Sequence, residues 1–444
     1  MNRAVNRGKS ATSTNEAFMH KSPQTTRTLR SLLAFFLLLG MAFPQPAPAE
    51  ENADLLKIKP QIAVILPLSG PFADLGQNLK LGFERGFAQD RELKPEARQF
   101  TTDFFDSEGN PETARALIEM LHSSGETLIA AGTPLHTTAW TASQACEKSG
   151  LPYLIVGADQ DNLINEKNVF SFRLTPTRAA KETMLAQFID AQIPPIQSLA
   201  IIYDESSCSI HQARRLRKLC ASKNIDLALW EVYRDNDSNF YDLLNLIKER
   251  QPQMLFLATS SAHGDKLWQQ GERLQLLPAI TIAMSGTSLP GSNNPAAANP
   301  PVAPEPQLLH LTTWHLPTEQ LTTGHLSTGL PAADQEKLPL PENDIQAQGF
   351  AAAELILAAL NETLNRSLGL TSTEIIKTLE SHPVTTVYGQ VIFSGPGRGH
   401  QNSQPWFLCR TDETGTDQIV FPRAPDSGEA TPEGEKKRSP AEAQ

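Results

Sequence analysis

Short apolar runs recur from residue 61 onward, and between them apolar positions repeat at the three-to-four spacing of a helix. The runs predict strands over residues 61–66, 99–105, 127–131, 153–156, 198–203, 226–233, 254–258 and 279–283. The helices between them carry their own end signals. "PETARALIEMLHSSG" has Pro111 in its first turn and stops at Gly125, and "TTAWTASQACEKSG" stops at Gly150. "NFYDLLNLIKERQ" sets Phe240, Leu243, Leu244 and Ile247 on one face. Alternating strands and helices predict an α/β fold with mostly parallel sheets. The units form two sets, over residues 60–175 and 197–283, which predicts two lobes rather than one large sheet.

The pattern then breaks. "GTSLPGSNNPAAANPPVAPEPQ", residues 286–307, is rich in Pro, Ala and Asn and reads as an exposed insertion, and "TGLPAADQEKLPLPEND" as a further loop. Between them "LLHLTTWHL" predicts a strand. "QAQGFAAAELILAALNETL" predicts a strong helix, "TSTEIIKTLES" a second, and "VYGQVIFS" and "PWFLCRTD" late strands. Residues 426–444 lack apolar anchors and read as a disordered tail.

The N-terminus adds a destination. Arg27 and Arg30 precede an apolar core over residues 32–43, and Ala47-Pro48-Ala49 supplies a small-x-small cleavage pattern before Glu50 and Glu51. This is the pattern of a cleaved signal peptide over residues 1–49. The core of about a dozen residues is shorter than the roughly 20 a spanning helix needs. Export to the periplasm follows, with no membrane insertion after cleavage. Met19 would give a more usual signal length than Met1. A formal net charge of −11 argues against nucleic acid as partner. Cys146, Cys208, Cys220 and Cys409 form no CxxC pattern, and helical spacing puts Cys208 and Cys220 about 18 Å apart. Four separate thiols are expected.

Five segments together carry a resemblance. "IAVILPLSGPFADLGQNLKLGFERGF" resembles the first strand, loop and helix of type I periplasmic solute-binding proteins, in the leucine/isoleucine/valine (amino-acid and amide) branch. "FFDSEGNPETARALIEML", "AAGTPLHTTAWTASQACEKSGLPYLIVGA", "VFSFRLTPT" and "TVYGQVIFSGPGRG" are similar to that family's later segments, in the same order. The resemblance implies two Rossmann-like lobes with parallel sheets, joined by a three-strand hinge. Residues 58–176 and 316–396 then make lobe 1, and residues 177–315 and 397–425 make lobe 2. It also implies a small solute in the cleft and the membrane permease of an ABC importer as partner, with no cofactor.

The resemblance further implies a set of ligand positions. Ser69, in the turn after the first strand, falls on the cleft wall. The hydroxyl loop that holds a ligand carboxylate falls on His136, Thr137 and Thr138, and the next loop on Gly157, Ala158 and Asp159. Asp159 stands where amino-acid binders often carry Thr, and as a carboxylate it either caps its own turn or takes a ligand ammonium. The second-lobe acid that pairs with an ammonium falls near Ser285. A lid aromatic falls near Ser260 and Ser261, and a pocket aromatic on Cys208. Trp140 is expected in the core.

Motifs for chemistry are missing. The sequence has no G-x-S-x-G, H-E-x-x-H, P-loop or G-x-G-x-x-G after a strand, and His310 and His315 are too sparse for a zinc site. A binding protein rather than an enzyme is expected, as an importer's solute receptor or, alternatively, as a non-transporting sensor or envelope-interaction protein with the same lobes.

Overall fold

The computed structural model describes residues 60–93, 100–234, 239–259, 261–284, 306–314, 341–366, 369–393, 399–402, 404–412 and 417–422. The segments read as signal peptide, insertion and tail lie outside them, apart from the end of the insertion, as do Ser260 and Ser285.

The chain begins with β1 (Gln61–Leu66), α1 (Ala73–Leu93), β2 (Thr101–Asp106), α2 (Pro111–Ser124), β3 (Thr127–Gly132), α3 (His136–Ser149), β4 (Tyr153–Ile155) and β5 (Ser171–Arg173). A second set follows: α4 (Arg178–Asp190), β6 (Ser198–Asp204), α5 (Ser207–Ser222), β7 (Asp226–Tyr233), α6 (Tyr241–Arg250), β8 (Met254–Ala258), α7 (Ser261–Leu274), β9 (Ile280–Ala283) and β10 (Gln307–Thr312). The rest is α8 (Asp344–Asn365), α9 (Ser372–Ser381), a small hairpin of β11 (Val384–Thr386) and β12 (Gly389–Val391), then β13 (His400–Gln401), β14 (Phe407–Thr411) and β15 (Asp417–Phe421).

Two sheets organise these elements. The first has the order β13-β5-β4-β3-β1-β2, and all its pairings are parallel. The second has the order β15-β14-β10-β9-β8-β6-β7, parallel except at β14 and β15. Each contains the doubly wound series 2-1-3-4-5, as β2-β1-β3-β4-β5 and as β7-β6-β8-β9-β10. The fold is therefore α/β with two Rossmann-like lobes. The chain passes between the sheets three times: after β5, after β10 and after β13. Both faces of each sheet are covered. In the first, α1, α8 and α9 bury one face and α2 and α3 the other. In the second, α4 and α5 bury one face and α6 and α7 the other. That is why β1 and β8 are apolar without alternation.

The local end signals act as their chemistry predicts. The Asn110 side chain accepts the Glu112 and Thr113 N–H groups at the start of α2, and Gly125 closes it at φ +69°. Gly150 closes α3 in the same left-handed conformation. The strand readings at 61–66, 226–233 and 254–258 match the observed elements, and the other six segments predicted as strands before the last helices deviate by a few residues at most. Four strands were not legible: β5, which reads as a crossover, β11, β13 and β15. The first three span two or three residues, too few for a periodicity to show, and β15 is an edge strand with no buried residue.

Candidate functional site

In a doubly wound sheet the strand order reverses at a switch point, and the crevice beyond the carboxyl ends there is where ligands bind. The switch points fall between β1 and β3 in the first sheet and between β6 and β8 in the second. The loops that follow these strands are the candidate walls.

The turn after β1 is tied down from within. The Asp106 carboxylate, at the end of β2, accepts from the Leu68 N–H at 2.8 Å, the Ser69 N–H at 3.3 Å and the Glu108 N–H at 2.8 Å. Burial alone would raise this carboxyl, but the Ser69 hydroxyl and those N–H groups together bring it below its ordinary value. Ser69 lies exposed at the rim with its N–H engaged by Asp106. Gly76 lets α1 start against this turn, since a Cβ there would sit 2.0 Å from the Pro67 carbonyl oxygen.

The turn after β3 opens α3. Its N-cap is Leu135, with no side-chain hydrogen bond to the first N–H groups. His136 is half-buried, and its Nδ1 has no hydrogen-bond partner among the described residues. Burial and the Arg178 guanidinium hold its pKa below the ordinary histidine value, against Asp159. Thr137 is exposed. Thr138 is buried and donates its hydroxyl back to the Leu135 carbonyl at 2.9 Å. Thr138 thus secures its own helix, and Thr137 is the exposed side chain of this loop, next to the half-buried His136. Trp140, expected in the core, is 38% exposed. The packed face of α3 consists of Ala139, Ala142, Ser143, Ala145 and Cys146, small residues that bring the helix close to the sheet and turn position 140 away.

The loop after β4 reaches across to the second lobe. Gly157, at φ +95°, donates its N–H to the Thr175 hydroxyl at 2.7 Å, and a Cβ there would lie 2.7 Å from the Pro134 Cβ. Ala158 is buried beside it. Asp159 follows. Its Oδ1 accepts from Arg178 Nη2 at 2.6 Å and its Oδ2 from Lys181 Nζ at 3.0 Å, both at the start of α4. The Arg178 N–H also donates to the Asp159 carbonyl at 2.8 Å. Two residues on, Asp161 accepts from the Ala179 N–H at 2.8 Å and pairs with Arg215 of α5 at 3.4 Å. Arg173, fully buried at the end of β5, holds the same loop through the Gln160 carbonyl and bonds Gln401 beside it. Burial brings its pKa down to about 10, against Asp161 and Asp159.

Of the two roles expected for Asp159, the structure supplies a third: an ion pair across the lobes with two cations. Sequence reading missed those cations. Arg178 and Lys181 stand directly after the crossover "FRLTPT", in a short basic run whose significance depends on Asp159 lying opposite. Cys208, one residue into α5, is exposed, and Arg178, Asp159, Lys181 and Asp204 all act on its thiol electrostatically. Helix α5, which follows β6, meets the loop after β4 through the pair between Arg215 and Asp161. Ser261 opens α7 at the carboxyl end of β8. All four cysteines are free thiols.

Burial would raise the Asp159 carboxyl, but Lys181 and Arg178 outweigh it and bring the pKa to about 2, from 3.8. A depressed carboxylate pKa stabilises the fold above pH 3.8, and that stability disappears as pH falls toward 2. The shift corresponds to about 2 kcal/mol. Urea unfolding between pH 5 and 2 is expected to show wild type losing about that much more stability than Asp159→Asn; equal losses would mean the pair carries no such linkage.

A family model for the periplasmic binding proteins matches residues 59–416. No curated protein sequence matches the chain. Among solved structures, the chain is similar to an amino acid ABC transporter substrate-binding protein from Pseudomonas fluorescens Pf-5. The identity is 14% and the TM-score 0.61, with 81% of this chain and 94% of that one covered. It is also similar to a branched-chain amino acid transporter substrate-binding protein from Streptococcus pneumoniae in complex with isoleucine, at 14% identity and TM-score 0.60, covering 82% and 99%. A third is a solute-binding protein of an ABC transporter from R. palustris in complex with 4-hydroxybenzoate, at 16% identity and TM-score 0.58, covering 81% and 95%. At such identities these structures establish a shared fold.

Proposed function

This chain belongs to the periplasmic binding protein family, and we propose that it is the solute receptor of an ABC importer. In this reading it captures a small polar solute between its lobes in the periplasm and delivers it to a membrane permease. The observation that carries the reading is the doubly wound order of both sheets together with the Asp159 loop, which ties the carboxyl side of the first sheet to α4 and α5 of the second lobe. Similar structures in complex with isoleucine or 4-hydroxybenzoate support solute capture by this fold. Among the described residues no helix is long and apolar enough to cross a membrane. The lobe boundaries proposed for it are residues 58–176 with 316–396, and 177–315 with 397–425, with β13 moved to lobe 1 because it pairs with β5.

The amino-acid grip is altered. Asp159 is committed to Arg178 and Lys181, and the sequence places hydroxyls at Ser260, Ser261 and Ser285, so no acid is left for a ligand ammonium at the ligand positions implied by the family. Losing a buried charge partner typically costs 2–5 kcal/mol, roughly 30- to 5,000-fold in affinity. Calorimetry is therefore expected to show weak binding of leucine, isoleucine and valine; submicromolar affinity for any of them would refute this account of the site. Mass spectrometry of molecules released from the protein purified from the periplasm tests solute capture itself.

One observation favours a second reading. The Asp159 clasp joins the lobes using side chains of the protein alone, as would suit a sensor or envelope-interaction protein. Failure of any small molecule to bind would select that reading.

A further inference from the structure

The loop after β4 runs between two strands of the first sheet, yet it completes a helix of the second lobe. Helix α4, packed against the second sheet, begins at Arg178, and the first N–H groups of a helix have no partner within it. The loop supplies two of the missing acceptors. The Asp159 carbonyl takes the Arg178 N–H at 2.8 Å, and the Asp161 carboxylate takes the Ala179 N–H at 2.8 Å. The N-cap, Thr177, accepts only the next one through its side chain, the Ala180 N–H at 3.0 Å. The start of α4 is therefore closed from outside its own lobe.

Charges reinforce this junction. Asp159 meets Arg178 and Lys181, and all three side chains are largely buried. Lys181 is braced in turn, its Nζ 4.2 Å from the centre of the Trp406 ring. Trp406 lies beyond the third crossover and donates its indole N–H to the Thr177 carbonyl at 3.0 Å. Farther out, Asp161 pairs with Arg215 of α5 at 3.4 Å, and Arg215 also pairs with Glu182 of α4. Three acids, Asp159, Asp161 and Glu182, thus balance three bases, Arg178, Lys181 and Arg215. Balanced in this way, the cluster has no net charge to offer a solute. Its charges are spent on one another, across the lobes.

Pulling the loop away from α4 is costly. The Arg178 and Ala179 N–H groups would lose their acceptors, and the Asp159 carboxylate would lose two cations at once. An exposed pair costs little to break, whereas a buried charge stripped of its partners is expensive. We propose that residues 159–161 form a latch, carried by the first lobe, that keeps the second lobe engaged when no solute is bound. The latch takes over part of the bridging that a solute in the cleft otherwise provides. A solute then enters lobes that are already held together, so less of its binding energy goes into ordering them. The latch does not depend on the receptor reading, since it requires only the two lobes.

Pulsed electron paramagnetic resonance on the purified protein after exhaustive dialysis decides it. Spin labels go on Met120→Cys of α2 and Val232→Cys of β7, both exposed positions, in a Cys208→Ser background. With the latch intact, one dominant distance between the lobes is expected. Asp159→Asn combined with Asp161→Ala is expected to raise the ratio of displaced to engaged lobes at least about tenfold. A second measurement leaves the latch unmutated. Raising NaCl from 0.01 to 1 M shortens the screening length from about 30 to about 3 Å. Acting on the half-exposed pair of Asp161 and Arg215, this is expected to raise the same ratio at least about twofold. An unchanged distance distribution in the double variant overturns the latch. Where that variant does not fold, an unchanged distribution across the salt series overturns it instead. Neither result touches the receptor reading, which mass spectrometry of released molecules decides.

Discussion

Gly349→Val is expected to abolish the folded state of the first lobe, or to lower its stability by more than about 3 kcal/mol. The reason is a seam where α1 and α8 touch backbone to backbone. A Cβ at Gly349 would lie 2.3 Å from the Leu79 carbonyl oxygen and 2.9 Å from the Phe83 nitrogen. From the other helix, a Cβ at Gly82 would lie 2.0 Å from the Gln346 carbonyl oxygen, and one at Gly86 would lie 2.7 Å from the Ala353 Cβ. Small residues four apart on each helix thus bring the axes within reach of main-chain contact. The obstacle to a larger side chain is backbone, which cannot rotate aside, so the helices must separate. Separation opens the core around Leu79, Phe83, Phe350 and Ile356, all fully buried. Urea or thermal unfolding of Gly349→Val, with Gly125→Ala as a control at a site with nothing within 4 Å, checks the claim. The control carries only the strain of its positive φ, about 1 kcal/mol. Equal effects of the two changes would show that the seam is not tight.

The second large effect concerns pH. Glu354 lies partly buried on α8, where its Oε2 accepts the Val387 N–H of the β11–β12 turn at 2.7 Å. Burial pushes its carboxyl up to about 8, from 4.5, against that single hydrogen bond. A raised carboxyl pKa means that the folded state holds a proton the unfolded chain has released. Stability is therefore full below about pH 4.5 and falls as pH rises through 8. The loss is on the order of 3 kcal/mol, allowing for partial solvent access to the side chain. Glu354→Gln keeps an acceptor for Val387 and has no proton to lose. It is expected to match wild type near pH 5 and to exceed it at pH 9 by about that amount. Chemical denaturation at the two pH values measures this directly, and a constant difference between the proteins would exclude the linkage.

Both effects involve side chains whose role is invisible locally. Glu354 sits in an Ala- and Leu-rich helix as any solvated acid would, and only the hairpin 33 residues later makes it a buried one. Asp159 shows the same thing at the cleft. Its type and place after a strand marked it as a candidate for binding or capping. Its actual partners are Arg178 and Lys181, 19 and 22 residues away, brought opposite by β5 and the first crossover. Because β5 spans three residues, no periodicity announced it, and the cations beyond it read as an ordinary basic helix start. Asp106 was likewise not singled out. A carboxylate at a strand end is common, and the Leu68 and Ser69 N–H groups it holds lie 38 and 37 residues away.

The sequence by itself determined the alternation of strands and helices, the helix ends at Pro111, Gly125 and Gly150, the two βα sets and the family. These depend on periodicity, cap chemistry and motif order, all of which act over a few turns of chain. Tertiary structure alone decided which strands are neighbours, and so where the switch points lie. It returned β13 to the first sheet beside β5, some 230 residues upstream, brought Gly82 against Gln346, and placed two cations on Asp159. Such outcomes turn on which distant segments become adjacent. Hydrogen-bonding groups and charges are generic along the chain, and they acquire a partner only when packing removes the water that otherwise satisfies them.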